Sequence, residues 1–272
     1  KSNVFIYMIL TILAVVFLAP IFIILFNSFK GKLYISDAPF KLPTVETFSG
    51  LQNYIDGLSK TGFLSAFGWS IFITFFSTIV IVLFTAMTGW YITRSKTKVS
   101  TSLYFIFVFS MIVPFQMVMF TMSKVANMLN LDNPVGLIVL YIGFGAGLSI
   151  FMFSGFVKSI PIDIEEAALI DGCNPIKTFF LIVLPLLKPI CITVAILNVM
   201  WIWNDYLLPS LVLKSDYKTI PMAVQYLRGG YGAIDMGAMM AVLVLAIIPI
   251  IIFYLTCQKY IIEGVAAGAV KG

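Results

Sequence analysis

Long runs without charged residues constrain this chain more than any other feature. Five stretches contain no Asp, Glu, Lys or Arg, and each is long enough to cross a bilayer as a helix, which takes about 20 mostly apolar residues. These stretches are residues 2–29, 61–93, 99–123, 133–157 and 236–258. Charged residues make up 11% of the chain, against about 25% in soluble domains. We therefore expect a membrane protein.

A sixth, shorter apolar run at 189–204 brings the expected number of spans to six. The first run is too long for the apolar core of a signal peptide, so we interpret it as a retained helix. The predicted fold is all-α, with one transmembrane domain over residues 1–272. Its predicted helices cover about 4–26, 66–92, 102–123, 135–157, 187–208 and 235–258, with a long connection at 158–186 and a tail at 259–272.

The charge pattern predicts the orientation of these spans. Six spans place both termini on the same side of the membrane, together with the connections 94–98 and 158–186. The run Arg94–Lys98 holds three cations and no acid, and short cation-rich loops stay on the cytoplasmic side. We therefore expect cytoplasmic termini. The net charge of +5 comes from cations scattered at helix ends, which is typical of interface anchors rather than of nucleic-acid binding.

Several kinds of chemistry have no basis in the sequence. The chain has no His, which excludes His-based acid–base catalysis and His–metal sites. Its three Cys are far apart, and we predict no metal site. No phosphate-binding loop of the G-x-x-x-x-G-K-[ST] type is present, and no predicted span buries the mid-membrane acid expected of a proton-coupled carrier. Gly143, Gly145 and Gly147 favour close helix packing instead. We predict no catalytic residues and no enzyme activity.

The connection at 158–186 carries a tight acidic patch. Its acids are Asp163, Glu165, Glu166 and Asp171. Four acids inside hydrocarbon would cost roughly 10 kcal/mol or more, so the segment is expected to lie outside the bilayer. Acids near a helix start are favoured by the helix dipole, and Gly172 followed by Asn174-Pro175 is expected to end the helix. The residues alone leave two interpretations, a solvated link and a functional element. The unusual length of the connection favours the second.

The same segment resembles a known signature. Glu166-Ala167-Ala168, Gly172, Ile182 and Leu184-Pro185 follow without a gap the EAA pattern of the membrane subunits of ATP-binding-cassette importers. Cys173 departs from it, since that position is usually Ala.

Three further elements resemble the MalG-type permeases of the carbohydrate-uptake group. Trp203-Asn204-Asp205-Tyr206 is similar to an element of their fifth helix, and Gln258-Lys259-Tyr260 with the Gly-rich end is similar to their tail. Leu51-Gln52-Asn53-Tyr54 resembles a turn of their first outer loop.

The resemblance implies a type I importer permease fold whose segment 158–186 holds the coupling helix that docks on the ATPase. The residues it implies for this coupling are Glu165, Glu166, Ala167, Ala168, Asp171 and Gly172. It also implies a tail that reaches into the ATPase dimer. The tail residues expected to contact the ATPase are Gly268, Val270, Lys271 and Gly272.

Two further groups of residues keep alternative roles. The first group is Trp203, Asn204, Asp205 and Tyr206. These residues either line the substrate path or link helices, and Trp203 also suits an interfacial aromatic belt. The other group lies in the loop 209–233, which either contacts the solute-binding protein or is an ordinary solvated loop. Its residues are Lys214, Asp216, Arg228, Gly229 and Gly230.

Together these features lead us to expect a permease subunit of a sugar importer in the cytoplasmic membrane of a prokaryote, forming half of the translocation path. The implied partners are a second, MalF-like permease, an ATPase dimer that binds ATP and Mg, an extracytoplasmic solute-binding protein, a carbohydrate and the lipid bilayer. No cofactor on this chain and no nucleic acid are implied. Alternatives are import of another solute (a polyol, a glycerol phosphate or an acidic oligosaccharide) and a stand-alone channel or scaffold. An intramembrane enzyme is disfavoured.

Overall fold

The regular structure of the chain is helical. The computed structural model describes residues 2–227 and 235–269, and within them the only β-type pairing is an isolated bridge between Lys30 and Phe48. The helices are α1 Ser2–Asn27, α2 Lys32–Asp37, α3 Gln52–Thr61, α4 Phe63–Ser95, α5 Lys98–Ser110, α6 Phe115–Met128, α7 Pro134–Val157, α8 Asp163–Ile170, α9 Pro175–Thr178, α10 Leu184–Leu186, α11 Lys188–Asn204, α12 Leu207–Val212, α13 Ile220–Tyr226 and α14 Met236–Ala269. A π-helical turn, Phe179–Val183, separates α9 from α10.

Four helices are long and apolar enough to cross a membrane on their own. The segments that qualify are Val4–Asn27, Phe63–Ser95, Pro134–Val157 and Met236–Tyr260. Two further pairs qualify as bent spans: α5 with α6 meet at 104°, and the segment Pro175–Leu186 meets α11 at 78°. When each bent pair counts as one span, the described residues contain six spans, the predicted number. The predicted all-α fold is confirmed.

The third span is not the continuous helix expected over 102–123. The structure has α5 and α6 instead, separated by a break that ends at Pro114, which is extended with φ −62° and ψ 135°. Proline disfavours a helical conformation at the residue before it and has no N–H to continue the helix. The run 99–123 contains no charged residue that would mark an interruption, so the charge pattern alone does not predict this break.

The fifth and sixth helices also differ from the expected bounds. Instead of one helix over 187–208, α11 ends at Asn204 because Asp205 is extended, with ψ 121°. The apolar residues before α11 form the bent approach of α9, the π-helical turn and α10. The last helix does not end near 258 but continues to Ala269, so the described part of the tail is helical.

The chain divides into two compact units. The first comprises Lys1–Gly68 and Thr219–Phe253, and the second comprises Trp69–Lys218 and Tyr254–Gly272.

In the first unit, Asn53 on α3 fixes the end of α1. Its buried side-chain amide donates hydrogen bonds to the carbonyls of Ser28 (2.8 Å) and Lys30 (2.7 Å). The neighbouring Tyr54 hydroxyl lies 2.7 Å from the Ser28 hydroxyl. The four-residue stretch Leu51–Tyr54 that resembles a family turn therefore holds the connection between α1 and α4 to the end of the first span.

Small residues also bring α3 and α14 together in this unit. A Cβ at Gly57 would lie 2.7 Å from the Val242 side chain, and Gly237 faces Asn53 with no room for a Cβ. Beside this contact, Lys60 Nζ pairs with Asp235 Oδ2 at 2.6 Å.

In the second unit, two of the predicted packing glycines of α7 are in close contacts. A Cβ at Gly145 would meet Ile81 at 2.8 Å, and a Cβ at Gly147 would meet the carbonyl of Phe107 at 2.7 Å. Gly143 has open space around it. The prediction of close helix packing is confirmed for Gly145 and Gly147.

Candidate functional site

The acidic segment forms the short helix α8, and its glycine ends it as predicted. Gly172 has φ +82°, and its N–H donates to the carbonyl of Leu169 at 3.1 Å. The next N–H, from Cys173, donates to the carbonyl of Ala168 at 2.9 Å. This pair of bonds is the Schellman arrangement, in which a left-handed residue satisfies the last carbonyls of a helix. Asn174 then starts α9 by accepting the N–H of Lys177 at 2.8 Å.

Glu165 points into the protein rather than away from it. The residue is 6% exposed, and both of its carboxylate oxygens have partners on α4. Arg94 donates to Oε1 from Nε at 2.9 Å and from Nη2 at 2.7 Å, and Trp90 Nε1 donates to Oε2 at 2.9 Å. Arg94 Nη2 also donates to the carbonyl of Ile160 at 2.9 Å, just before α8. We call Trp90, Arg94 and Glu165 the clamp.

The remaining residues of α8 divide between two faces. Ala168 is buried, as Glu165 is. The two residues are three positions apart and therefore lie on the same face of the helix. Glu166 and Ala167 are exposed, and Ile170 is exposed to 87%. Asp171 and Gly172 are exposed as well. The helix therefore uses one face to attach to its own chain and leaves a small, partly apolar and acidic face uncovered.

A hydrophobic core lies beside the clamp and joins α4, α7, the π-helical turn and α11. Its buried members are Ala86, Phe153, Val157, Ile160, Phe179, Val183, Leu187 and Val194. Trp90 packs against this core, with its ring centroid 5.6 Å from that of Phe179. A single tryptophan thus contacts both Glu165 of α8 and the turn that follows α9.

Asp205 directly follows the last residue of α11, and both of its carboxylate oxygens accept hydrogen bonds from the protein itself. Oδ2 accepts from the hydroxyl of Tyr141 on α7 at 3.0 Å, and Oδ1 accepts from the N–H of Leu207 at 2.9 Å. The neighbouring Asn204 donates back to the carbonyl of Met200 at 2.7 Å. The structure thus gives Asp205 and Asn204 contacts that link and end helices.

The two aromatic residues of this element are in different surroundings. Trp203 is buried, whereas Tyr206 is 39% exposed.

In the loop after α12, Lys214 is held by the second unit itself. Its Nζ lies 3.0 Å from Asp132 Oδ2, and its N–H donates to the carbonyl of Asp132. Asp216 is exposed. Arg228, Gly229 and Gly230 lie outside the described residues.

Residues 81–266 match the protein family described as binding-protein-dependent transport system inner membrane component. The match covers more than half of the chain and includes α8 and the clamp. The chain belongs to this family.

Curated relatives of this inner membrane component match along nearly its whole length. The probable starch degradation products transport system permease protein AmyC of Thermoanaerobacterium thermosulfurigenes is 39% identical, over 96% of this chain and 94% of the relative. The multiple sugar-binding transport system permease protein MsmG of Streptococcus mutans is 36% identical, over 97% and 96%. The melibiose/raffinose/stachyose import permease protein MelC of Bacillus subtilis is 31% identical, over 100% and 98%.

A solved structure agrees with the fold. A chain from the crystal structure of a bacterial ABC transporter involved in the import of the acidic polysaccharide alginate superposes with a TM-score of 0.81. The overlap covers 95% of this chain and 96% of that chain, at 23% sequence identity. The type I permease fold that we predicted is therefore confirmed.

Family membership establishes the general role of this inner membrane component. It is a multi-pass membrane permease subunit of an ABC importer and not an enzyme, and such importers combine it with a partner permease, an ATPase and a solute-binding protein. Glu166 and its neighbours stay predicted ATPase contacts. Gly268 lies in the backbone of α14, whereas Val270, Lys271 and Gly272 lie outside the described residues.

Two members of the clamp, Trp90 and Arg94, are not among the predicted site residues. The charge pattern places Arg94 only in a cation run that orients the chain, and hydropathy places Trp90 only in an apolar span. Both lie more than 70 residues from Glu165 along the chain, and no local pattern connects positions so distant. A tryptophan and an arginine four residues apart at the end of a span, on one helix face, are the one signal that could have indicated a shared acidic partner.

Proposed function

We propose that this inner membrane component is the permease subunit of a sugar importer and that α8 is its coupling helix. The observation that carries the proposal is the division of α8 into two faces. One face is fixed to the chain through Glu165, while the face with Glu166, Ala167 and Ile170 is uncovered. A partner protein that covers this second face would be held rigidly to the permease.

The uncovered face predicts the chemistry of its partner. Ala167 allows close approach, Leu169 and Ile170 offer exposed apolar surface, and Glu166 offers one carboxylate. A matching groove would have apolar walls and a cation, because charge-assisted hydrogen bonds between a carboxylate and an arginine or lysine are strong and directional. We assign this groove to the ATPase subunit, which would also bind ATP and Mg, with no cofactor on the permease chain.

The orientation of the chain follows the same proposal. The clamp places Arg94, and with it the cation run that continues to Lys98, next to the start of α8. Short loops rich in Lys and Arg stay in the cytoplasm, where ATP is available. We therefore propose that α8 and both termini are cytoplasmic. The loop 209–233 would then face the solute-binding protein.

The substrate class rests on the relatives. Proteins that resemble this chain over nearly their full length carry names that refer to starch degradation products, to multiple sugars, and to melibiose, raffinose and stachyose. We propose a sugar as the transported solute and a MalF-like chain as the second permease. A growth panel on single sugars, with this chain deleted, identifies which one.

Reversal of one exposed charge tests the coupling role. We expect Glu166→Lys to reduce both ATPase co-purification and ATP-driven sugar uptake in proteoliposomes by about tenfold or more, because a cation would face the cation of the groove. Glu46→Lys is the matched control, since Glu46 is an exposed acid in the first unit. Normal ATPase binding and uptake in Glu166→Lys would exclude α8 as the docking element.

A further inference from the structure

We propose that Arg94 and Trp90 are positioning residues that make α8 move as one body with α4, so that displacement of α8 by its partner is carried into the membrane-spanning part of the chain. This inference rests on the proposed coupling role of α8 and adds the element that transmits its movement.

The clamp is built to resist displacement in several directions. Arg94 donates three hydrogen bonds, two to Glu165 Oε1 and one to the carbonyl of Ile160, and Trp90 occupies the other oxygen. The guanidinium is planar and rigid, so its donors fix an orientation and not only a distance. Because Glu165 and Arg94 are mostly buried, with side chains 8% and 19% exposed, water competes little for these bonds.

The other connections of α8 are weaker constraints. The chain reaches α8 from α7 through a short non-helical link at 158–162 and leaves it through the turn at Gly172. Neither link is itself helical. The clamp is a third attachment, made by side chains to a different span, α4. Two attachments at its ends would allow a short helix to rotate about the line that joins them, whereas a third attachment fixes its orientation.

The helix that receives this attachment suits transmission. The 33 residues of α4 rise about 1.5 Å each, so a straight helix of this length extends for about 50 Å. Immediately before Trp90, a Cβ at Gly89 would lie 2.8 Å from Phe153 of α7, so α4 and α7 touch almost backbone to backbone here. Packed interiors are dense and transmit displacement instead of absorbing it. Movement at Glu165 therefore reaches both α4 and α7.

The test measures sugar transported per ATP hydrolysed in the reconstituted importer with its ATPase, partner permease and binding protein. We expect Arg94→Gln to keep the ATPase bound and hydrolysing while the ratio falls about tenfold. Arg94→Lys keeps the orienting charge but lacks the planar fork, so we expect a smaller fall of about threefold. Lys98→Gln, which removes an exposed charge from the same cation run, is the matched control and should leave the ratio unchanged.

The possible outcomes separate this inference from the proposed function. An unchanged ratio in Arg94→Gln, or an equal fall in Lys98→Gln, overturns the transmission role. If Arg94→Gln does not assemble, Glu165→Gln decides by the same ratio, since the amide oxygen still accepts hydrogen bonds but the charge is gone. Loss of ATPase binding in proportion to uptake, with a normal ratio, shows that the clamp only shapes the docking surface and also overturns it. Glu166→Lys, in contrast, tests docking itself.

Discussion

The conformation of Gly172 allows a graded prediction for the coupling segment. Its φ of +82° is left-handed, and a Cβ built there would have nothing within 4 Å. The requirement for glycine therefore comes from the backbone alone and not from space. Substitutions should be ranked by how well each residue tolerates this backbone conformation, whatever the size of its side chain.

The expected magnitudes follow from this distinction. An L-residue in the left-handed region costs roughly 1–2 kcal/mol, with Asn below that range because its side chain bonds locally. Ala and Leu at 172 should therefore have similar costs, Val a larger one, and Asn the smallest. Pro fixes φ near −65° and removes the N–H that donates to Leu169, so Gly172→Pro should cost about 3 kcal/mol or more.

The assay is ATP-driven sugar uptake in proteoliposomes, normalised to inserted protein. Since about 1.4 kcal/mol is a factor of ten, we expect near-normal uptake for Asn, losses of about five- to thirtyfold for Ala and Leu alike, and uptake below about 1% for Pro. If uptake instead declines steadily from Ala to Leu, Gly172 is a contact surface for the partner. If Pro transports normally, the helix end has no role in coupling.

Two other predictions concern packing and charge. Gly145→Ala should lower the free energy of unfolding of the detergent-solubilised protein by about 1–3 kcal/mol, because the added Cβ has close neighbours. Gly143→Ala is the control, since Gly143 faces open space. Equal changes in the free energy of unfolding for the two variants would contradict the packing argument. Burial is the largest single effect on the Asp235 carboxyl and would raise its pKa, but the hydrogen bonds from Lys60 and from the Ala238 N–H, together with the Lys60 charge, outweigh burial and lower the pKa. The bond to Asp235 raises the pKa of Lys60. The pair therefore stabilises the fold from about pH 4 to about pH 10; this contribution is lost as the pH falls through the lowered pKa of Asp235, or rises through the raised pKa of Lys60. Asp235→Asn should reduce stability at pH 7 by about 0.2–1 kcal/mol and have a smaller effect near pH 3, where the carboxyl begins to be protonated. A constant difference in thermal unfolding temperature at both pH values would contradict this prediction.

The sequence predicted the parts of this fold that are determined locally. Four of the five long charge-free runs correspond to single helices that can span a membrane. A glycine after an apolar–acidic helix marks its end because few other residues accept a left-handed conformation. The close contacts of Gly145 and Gly147 were also predicted, since a small residue in an apolar span is most useful where helices touch.

The bends and the inward contacts depend on distant parts of the chain. Pro114 indicates a break, yet prolines also occur inside spans, as Pro20 and Pro249 do in α1 and α14. Whether the chain bends sharply at a proline depends on what packs around it. The inward position of Glu165 depends in the same way on Arg94, 71 residues earlier, so the acidic patch could be placed outside the bilayer but not divided into inward and outward residues.

The adjacent glutamates of α8 show what this division means for mechanism. Successive residues of an α-helix are about 100° apart around its axis, so Glu165 and Glu166 cannot serve the same surface. With Glu165 bound to α4, Glu166 is necessarily turned away from that contact. A single acidic pair thus supplies one group that ties the helix to its own chain and one that is free for a partner. Loss of the inner charge should impair transmission with docking intact, whereas reversal of the outer charge should impair docking itself.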